Sequence, residues 1–153
     1  MRCDIRILSE GFDPEAEVAA LRASLDASGA MVSFTGMVRP SGTDGAVSAL
    51  CLQHYPGMTE RGIAEAVQGA ANRWPLEAVL VIHRVGEMAP RDPIVLVATA
   101  SAHRRAAFEA ADFLMDFLKS RALFWKSETG PAGRNWIEPR NDDYADAARW
   151  DAD

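Results

Sequence analysis

The sequence predicts an α+β domain in which a mostly antiparallel sheet packs against helices. The predicted elements follow the order α, β, β, α, β, β, α and then a loop-rich end, unlike the regular βαβ alternation of a parallel sheet. The chain has 153 residues, of which 48% are hydrophobic and 25% are charged, as in a globular domain with a core of ordinary size. We therefore expect a single domain over residues 1–153, with an acidic C-terminal tail over residues 141–153.

Helix and strand signals follow one another irregularly in the first half of the chain. Asp13 and Pro14 have the residue types of a helix cap and a first helical position. Gly36 interrupts a run of β-forming residues, which indicates a bulge or a close approach by another group. The other predictions rest on apolar periodicity and turn composition. In order, they are a helix over residues 13–27, a strand over 30–38, a loop over 39–45, a strand over 47–55 and a helix over 59–74.

The second half begins with two apolar strands and continues with a long helix. The strands are predicted over residues 77–85 and 93–100, and the helix over residues 103–121. The helix stripe that should face the core comprises Ala107, Ala110, Ala111, Leu114, Phe117 and Leu118. A flank of the helix, within an arc of about 60°, comprises Arg104, Phe108, Met115 and Lys119. A Gly/Pro-rich loop is expected over residues 130–139.

Composition excludes several classes of function. A formal net charge of −6 argues against generic nucleic-acid binding. No apolar run reaches the roughly 18 residues of a membrane span, and the N-terminus has no apolar signal region. We therefore expect a cytoplasmic protein that binds neither nucleic acid nor membrane. Cys3 and Cys51, like the three histidines, are scattered, so no metal site is expected.

Basic residues at two places suggest that an anion binds. Arg39 ends a strand ahead of the predicted loop, where its guanidinium could clamp a phosphate or could simply be solvated. His103, Arg104 and Arg105 lie at a helix start, where the macrodipole disfavours cations. That placement favours an anion bound among them, and a solvated basic turn is the alternative.

Lys119 and Lys126 are candidates for chemistry because each follows apolar residues. A partly buried lysine loses its proton more readily and can act as a base or a nucleophile. Glu128 could pair with a lysine and hold its geometry. The alternative is that both lysines extend over an apolar patch to reach solvent.

The length of the predicted helix separates two of these candidates. At 1.5 Å per residue, His103 and Lys119 lie about 24 Å apart along a continuous helix. Side chains cannot close that gap around one small ligand. If both ends serve one site, the ends come from different chains, which predicts a dimer.

Together, these segments resemble the family of the large, catalytic subunit of molybdopterin synthase. The resemblance spans about residues 30–140 in the expected order, and the ordered set is specific although no single motif decides it. The matching stretches are Phe34 to Arg39, Leu52 to Glu60, Ile82 to Gly86, Ser101 to Lys119, Trp125 to Glu128, and Trp136.

The resemblance implies a fold of the α/β hammerhead type and a sulfurtransferase that needs no metal or cofactor of its own. It implies a homodimer in which each copy binds a small ubiquitin-like sulfur-carrier subunit ending in Gly-Gly, giving a heterotetramer. The carrier's C-terminal thiocarboxylate would donate sulfur to cyclic pyranopterin monophosphate, and two transfers would make the dithiolene of molybdopterin. The acidic tail and the 130–139 loop would shape the groove for the carrier.

The resemblance also implies which residues act. Lys119 and Lys126 match the catalytic lysines of the family. The substrate-binding residues would be Met37, Val38, Arg39, His103, Arg104, Lys119, Lys126, Ser127 and Glu128, with Phe34, Met115 and Arg140 as further candidates. Two places depart from the family: Leu123-Phe124 replaces the usual proline-isoleucine, and Ser127 replaces a second lysine. Only backbone contacts are therefore expected of Ser127.

Two other classes of function remain open. A persulfide sulfurtransferase would use Cys51, but it needs an exposed cysteine in an electropositive loop, and Cys51 falls in the middle of a predicted strand. A non-catalytic binding module for a phosphorylated ligand or a ubiquitin-like partner would use the same arginines. The two lysines would then be dispensable.

Overall fold

Two four-stranded sheets organise the computed structural model, which describes residues 1–42, 45–121 and 124–152. The strands are β1 (Arg2–Leu8), β2 (Ala30–Met37), β3 (Ser41–Gly42), β4 (Gly45–Ala46), β5 (Ala49–His54), β6 (Leu76–Arg84), β7 (Gly86–Met88), β8 (Pro93–Ser101), β9 (Phe124–Gly130) and β10 (Gly133–Ile137). The helices are α1 (Pro14–Ala23), α2 (Met58–Arg73), α3 (Arg104–Ser120) and α4 (Asn141–Ala148), followed by a 3₁₀ turn (Arg149–Ala152). Among the described residues, none of the helices has the length and apolar character to cross a membrane.

The first sheet has the strand order β1-β6-β8-β2 and lies between helices. β1 pairs with β6 in parallel, whereas β6, β8 and β2 pair antiparallel. One face packs against α1 around Leu21, Leu80 and Leu96. The other face packs against α2 and α3 around a core that includes Val67 and Leu114. The predicted α+β class with a mostly antiparallel sheet is therefore confirmed.

The second sheet has the strand order β10-β9-β5-β7 and is antiparallel throughout. It has its own small core of Val38, Val47, Leu50, Leu52 and Met88. Phe124, the first residue of β9, packs against this core and also against the core beneath α3. The two sheets therefore meet at the start of β9.

The long helix and the interrupted strand follow the sequence predictions. Five of the six predicted stripe residues of α3 are buried, and Phe117 packs against the same core at its edge. The register of β2 shifts between Gly36 and Met37. A Cβ atom added to Gly36 would lie 2.7 Å from Cγ1 of Val95. Gly36 therefore marks both a bulge and a close approach, as predicted.

Two predictions in the N-terminal region are wrong. The first helix ends at Ala23, not at residue 27, because the next residues bind a side chain instead of continuing the helix. The Glu77 carboxylate accepts hydrogen bonds from the backbone N–H of Asp26 at 2.7 Å and of Ala27 at 3.2 Å. Arg2–Leu8 is also a strand that was not predicted, although its charged and apolar residues alternate as in a half-buried strand.

The prediction of a loop-rich C-terminal end is also wrong. Residues 124–137 form the β9–β10 hairpin, so the predicted 130–139 loop is largely a turn and a strand. The acidic tail forms α4 and the 3₁₀ turn. Trp150 packs edge-on against Trp74 and Phe113, with ring centroids 5.6 Å apart in each pair, and its Nε1 donates to Asp116 at 2.6 Å. Aromatic packing and the ion pairs of Arg149 with Asp112 and Asp116 dock the segment on α3.

Two earlier predictions fall partly outside the described residues. Residues 43 and 44 of the predicted 39–45 loop are not described, and the flanking β3 and β4 pair as a two-residue ladder. Leu123, half of the departure at Leu123-Phe124, is also not described.

Candidate active site

Lys126 lies on the inward face of β9, and this placement changes the pKa of its amine. It is directly opposite Leu52 of β5, and paired residues of an antiparallel ladder share a face. Leu52 is 3% exposed and belongs to the core of the second sheet. Burial, followed by the positive charges of Lys119 and Arg39, lowers the pKa of Lys126 to about 8. About a tenth of the Lys126 amine is therefore neutral at pH 7, against well under a hundredth for an ordinary lysine.

Lys119 lies in the last turn of α3 and supplies a positive charge next to Lys126. The side chain is exposed, so the expectation of partial burial is confirmed for Lys126 and is wrong for Lys119. The cause is position: Lys119 follows the buried Leu118 on the helix and points to its outer flank. Lys119 and Lys126 are the only two lysines among the 16 basic residues of the chain. The scarcity of lysine relative to arginine is a sequence signal that points to these two positions, and motif comparison did not use it.

Arg39 follows the buried Val38 at the end of β2. The Val38 N–H donates to the Asp92 carbonyl at 3.0 Å, and the Arg91 N–H donates to the Val38 carbonyl at 2.8 Å. Arg91 has a φ of 75°, an uncommon left-handed conformation for a residue with a side chain. The turn before β8 therefore fixes the backbone at Val38. The neighbouring Met37 is 58% exposed, and Arg39 is exposed as well.

Acidic groups balance part of this positive charge. The charges of Glu128, on the same face of β9, and of Asp143 both favour the protonated form of Lys126. Burial raises the pKa of Asp143, but hydrogen bonds from Arg140 and the charge of Lys119 outweigh it and leave that pKa below its usual value. Asp143 Oδ2 accepts from the Arg140 N–H at 2.9 Å. The start of α4 therefore lies at the Lys119 end of α3.

Glu128 does not form an ion pair with either lysine in the described part of the chain, where its influence on Lys126 is through space. The pairing of Glu128 with a lysine that the sequence suggested is therefore replaced by a through-space electrostatic effect on Lys126. Gly42 lies against the Glu128 carboxylate and leaves no space for a Cβ atom there.

His103, Arg104 and Arg105 lie at the opposite end of α3 from Lys119. His103 is the N-cap residue, and its side chain makes no capping hydrogen bond. Arg105 is bound to Glu109 at 3.4 Å. These residues line an open cleft of about 630 Å³ together with Gly29, Ala30, Ala102, Phe108 and Glu109. The helix therefore separates the two groups of predicted site residues, as its length implied.

The remaining candidates lie on different elements of the fold. Phe34 is 44% exposed on β2 and Met115 packs against the core under α3. Arg140 caps α4 and pairs with Asp143 at 3.4 Å. Ser127 is 2% exposed, and its Oγ accepts from Arg134 Nε at 3.0 Å. Since side chains alternate along a strand, Ser127 points to the face of β9 opposite Lys126.

His83 is a buried, hydrogen-bonded residue near the end of β6. Its Nδ1 lies 2.9 Å from the Arg84 carbonyl oxygen, and burial lowers its pKa to about 4. Within the described ranges of the chain, the nearby His54 keeps a buried Nδ1 without a hydrogen-bond partner. No group of three or more His, Cys, Asp or Glu side chains among the described residues could hold a metal ion.

The fold agrees with comparisons to known proteins. The MoaE protein family model matches residues 7–121, and the chain belongs to this family. The molybdopterin synthase catalytic subunit of Escherichia coli (strain K12) is 55% identical over 128 residues, covering 84% of this chain and 85% of the relative. The protein of the same name from Caulobacter vibrioides is 50% identical over 147 residues, covering 96% and 97%. The solved molybdopterin biosynthesis MoaE protein from Burkholderia ambifaria is 46% identical, with a TM-score of 0.82 and full coverage of both chains.

Proposed function

We propose that this chain is the catalytic subunit of a molybdopterin synthase. It transfers sulfur from the thiocarboxylated C-terminus of a small carrier subunit to cyclic pyranopterin monophosphate and makes the molybdopterin dithiolene. The observation that carries the proposal is the Lys126 amine, held near a pKa of about 8 beside the charges of Lys119 and Arg39, in a chain of the MoaE family. This combination can attract an anion and move a proton at the same place.

The proposal gives the two lysines different roles. A group with a pKa near the operating pH is suited to proton transfer, which favours Lys126 as the acid or base. Lys119 is exposed and cationic, and it stabilises negative charge on the attacking thiocarboxylate and in the transition state. In each transfer the carrier's sulfur forms a bond to a pterin side-chain carbon as a carbon–oxygen bond at that carbon breaks, and the oxygen leaves as water or with the phosphate. Water then cleaves the carrier's acyl–sulfur bond, so the sulfur stays on the pterin and the carrier leaves as a carboxylate.

The predicted substrate-binding residues divide by what they can offer. Arg39 offers a guanidinium to the phosphate, whereas Val38 is 3% exposed and holds Met37 and Arg39 in place. Glu128 balances charge at Lys126, and Ser127 contributes through its backbone and through Arg134. Phe34, Met115 and Arg140 are proposed as walls of the same site.

The sulfur enters with the partner, so the chain needs no nucleophilic cysteine. Cys51 lies in the middle of β5 and is only partly exposed, which argues against a persulfide mechanism. The proposed partner is a ubiquitin-like carrier ending in Gly-Gly, whose flexible tail reaches Lys126. A non-catalytic binding module remains the second candidate, since the arginines alone would serve it.

We propose that two copies form each active site. His103 and Arg104 lie about 24 Å from Lys119 along the helix, and their cleft of about 630 Å³ is open. A second copy would bring its Lys119 end to this cleft. With one carrier on each copy, the assembly is a heterotetramer. Under this proposal residues 1–153 act as one catalytic domain. The protein is also proposed to lie in the cytoplasm, which fractionation of cells tests.

Reconstitution tests the reaction directly. The purified chain, a thiocarboxylated carrier and cyclic pyranopterin monophosphate should give the dithiolene product. The same carrier with an ordinary C-terminal carboxylate is the control and should give none. Binding of the carrier without product, in the presence of active precursor, would support the binding-module alternative.

Mixed dimers test the shared site. One variant carries His103→Ala and Arg104→Ala, and the other carries Lys119→Ala and Lys126→Ala. Each should be inactive alone, but random mixing makes half of the dimers mixed, each with one intact site out of two. Activity should therefore return to about a quarter of the wild-type value. A mixture as inactive as its components would contradict the shared site.

A further inference from the structure

His83 joins the two sheets of the fold. It lies near the end of β6 in the first sheet and is 6% exposed. Its ring stacks on Phe124 of β9 in the second sheet, with centroids 3.9 Å apart and planes at 18°. Phe124 also packs against the cores of both sheets. The stacked pair is therefore a junction between the element that carries Lys126 and the sheet on which α3 packs.

The orientation of the His83 ring is fixed by one hydrogen bond. Nδ1 lies 2.9 Å from the Arg84 carbonyl oxygen, and a carbonyl oxygen can only accept, so Nδ1 carries the proton. Burial and the nearby Lys126, His54 and Lys119 all disfavour a charged ring. His83 therefore presents a neutral, flat surface to Phe124.

Phe124 and Lys126 lie on the same strand, so the placement of one side chain affects the placement of the other. The two residues are two apart in β9, so their side chains share a face. They are opposite His54 and Leu52 respectively in β5. A shift of Phe124 would therefore move Lys126 relative to the core that buries it.

We propose that His83 is a positioning residue: its stack on Phe124 holds the start of β9 so that the Lys126 side chain stays out of water and beside Lys119. The link to catalysis rests on the proposed function, whereas the geometric claim does not. Water entering in place of the ring would hydrate the ammonium form of Lys126, which burial now disfavours.

The chain's two lysines allow a direct measurement. With ¹³C-labelled lysine, the dimeric protein should show two Cε signals, and Lys119→Arg identifies the one from Lys126. In His83→Ala, the stack is lost, and the Lys126 pKa should rise by about one unit or more from about 8. In His83→Phe, the stack is kept, and the pKa should change by less than about 0.3 units.

Matched variants separate positioning from general destabilisation. Val79 is 1% exposed on the same strand and packs in the core under α3, so Val79→Ala should weaken the fold without moving the Lys126 pKa. Phe124→Leu removes the stack from the other side and should act like His83→Ala, which covers the case in which His83→Ala does not fold.

Three results would overturn the proposal. They are an unchanged Lys126 pKa in a folded His83→Ala or Phe124→Leu protein, an equal rise in Val79→Ala, and a normal pKa in the wild-type protein. Failure of the reconstituted reaction would overturn the proposed function instead, because the pKa measurement needs no substrate.

Discussion

The two ends of α3 carry similar residues in opposite environments. At the C-terminal end, Lys119 lies beside Lys126, and burial together with neighbouring charge lowers the pKa of Lys126 to about 8. At the N-terminal end, His103, Arg104 and Arg105 line an open cleft and remain exposed. The C-terminal end is enclosed by the start of β9 and by α4, while the N-terminal end borders an open cleft.

This difference shows what tertiary structure adds to a basic cluster. Positive charge alone attracts an anion, but salt and water screen the charge of an exposed group. Removing Lys126 from water makes a group that can exchange a proton near neutral pH. The basic groups at the N-terminal end of α3 would be removed from water in the same way only when another chain covers them.

The largest expected effect is at the enclosed end. Lys126→Ala should lower the rate of dithiolene formation by about 10²- to 10⁴-fold, the usual contribution of a general acid or base. Lys126→Arg keeps the charge but cannot lose a proton at neutral pH, so it should be nearly as slow. Single-turnover assays with a thiocarboxylated carrier measure this, and wild-type rates in Lys126→Ala would contradict a catalytic site here.

Acid should weaken the fold through His83, which lies beside this end. The pKa of His83 is about 4 in the folded chain against 6.5 for an ordinary histidine. The unfolded chain therefore takes up the proton first as the pH falls, and stability is lost between about pH 6.5 and 4. The loss should approach about 3 kcal/mol. Urea unfolding across this range measures it, and His83→Phe, which cannot titrate, should show a smaller loss. Equal losses in both proteins would assign the effect to other groups.

At the open end, Arg104→Ala should raise KM for the pterin substrate by roughly tenfold or more, because a hydrogen bond to a charged group contributes about 1.5–3 kcal/mol. Arg105 is the matched control: it lies in the same turn and pairs with Glu109 at 3.4 Å. An equal effect of Arg105→Ala would indicate a general loss of charge instead of a specific contact.

The smallest effect tests the coupling of the two lysines. Lys119→Ala removes a positive charge that disfavours the ammonium form of Lys126, so the Lys126 pKa should rise by up to about one unit. Lys119→Arg keeps the charge and should leave the value near that of the wild type. The single remaining lysine signal in each variant makes the titration unambiguous. A fall in the pKa of Lys126 would contradict a repulsive interaction between the two lysine charges.

Much of the fold was predictable because its signals are local. The cap at Asp13, the apolar stripe of α3 and the break at Gly36 depend on neighbouring residues, and the structure has all three. The strand Arg2–Leu8 was missed although its residues alternate locally, and only its parallel pairing with β6 is a long-range event. The early end of α1 was missed because Glu77, about 50 residues away, binds the following backbone.

The candidate site shows the same division between local and long-range information. The sequence singled out Lys119 and Lys126, but it treated both as partly buried because both follow apolar residues. Strand alternation places Lys126 opposite Leu52, whereas helix geometry turns Lys119 outward. Asp143, in a segment expected to be an acidic tail, lies close enough for the charge of Lys119 to lower its pKa.

The sequence by itself determined the family, the length of α3 and therefore the separation of its two basic ends. These depend on residue identity and on the fixed rise of a helix. Only the tertiary structure decided which lysine is removed from water and how His83, Phe124 and α4 surround the enclosed end. Burial is set by what packs against a side chain, and those partners come from strands and helices that are distant in the chain.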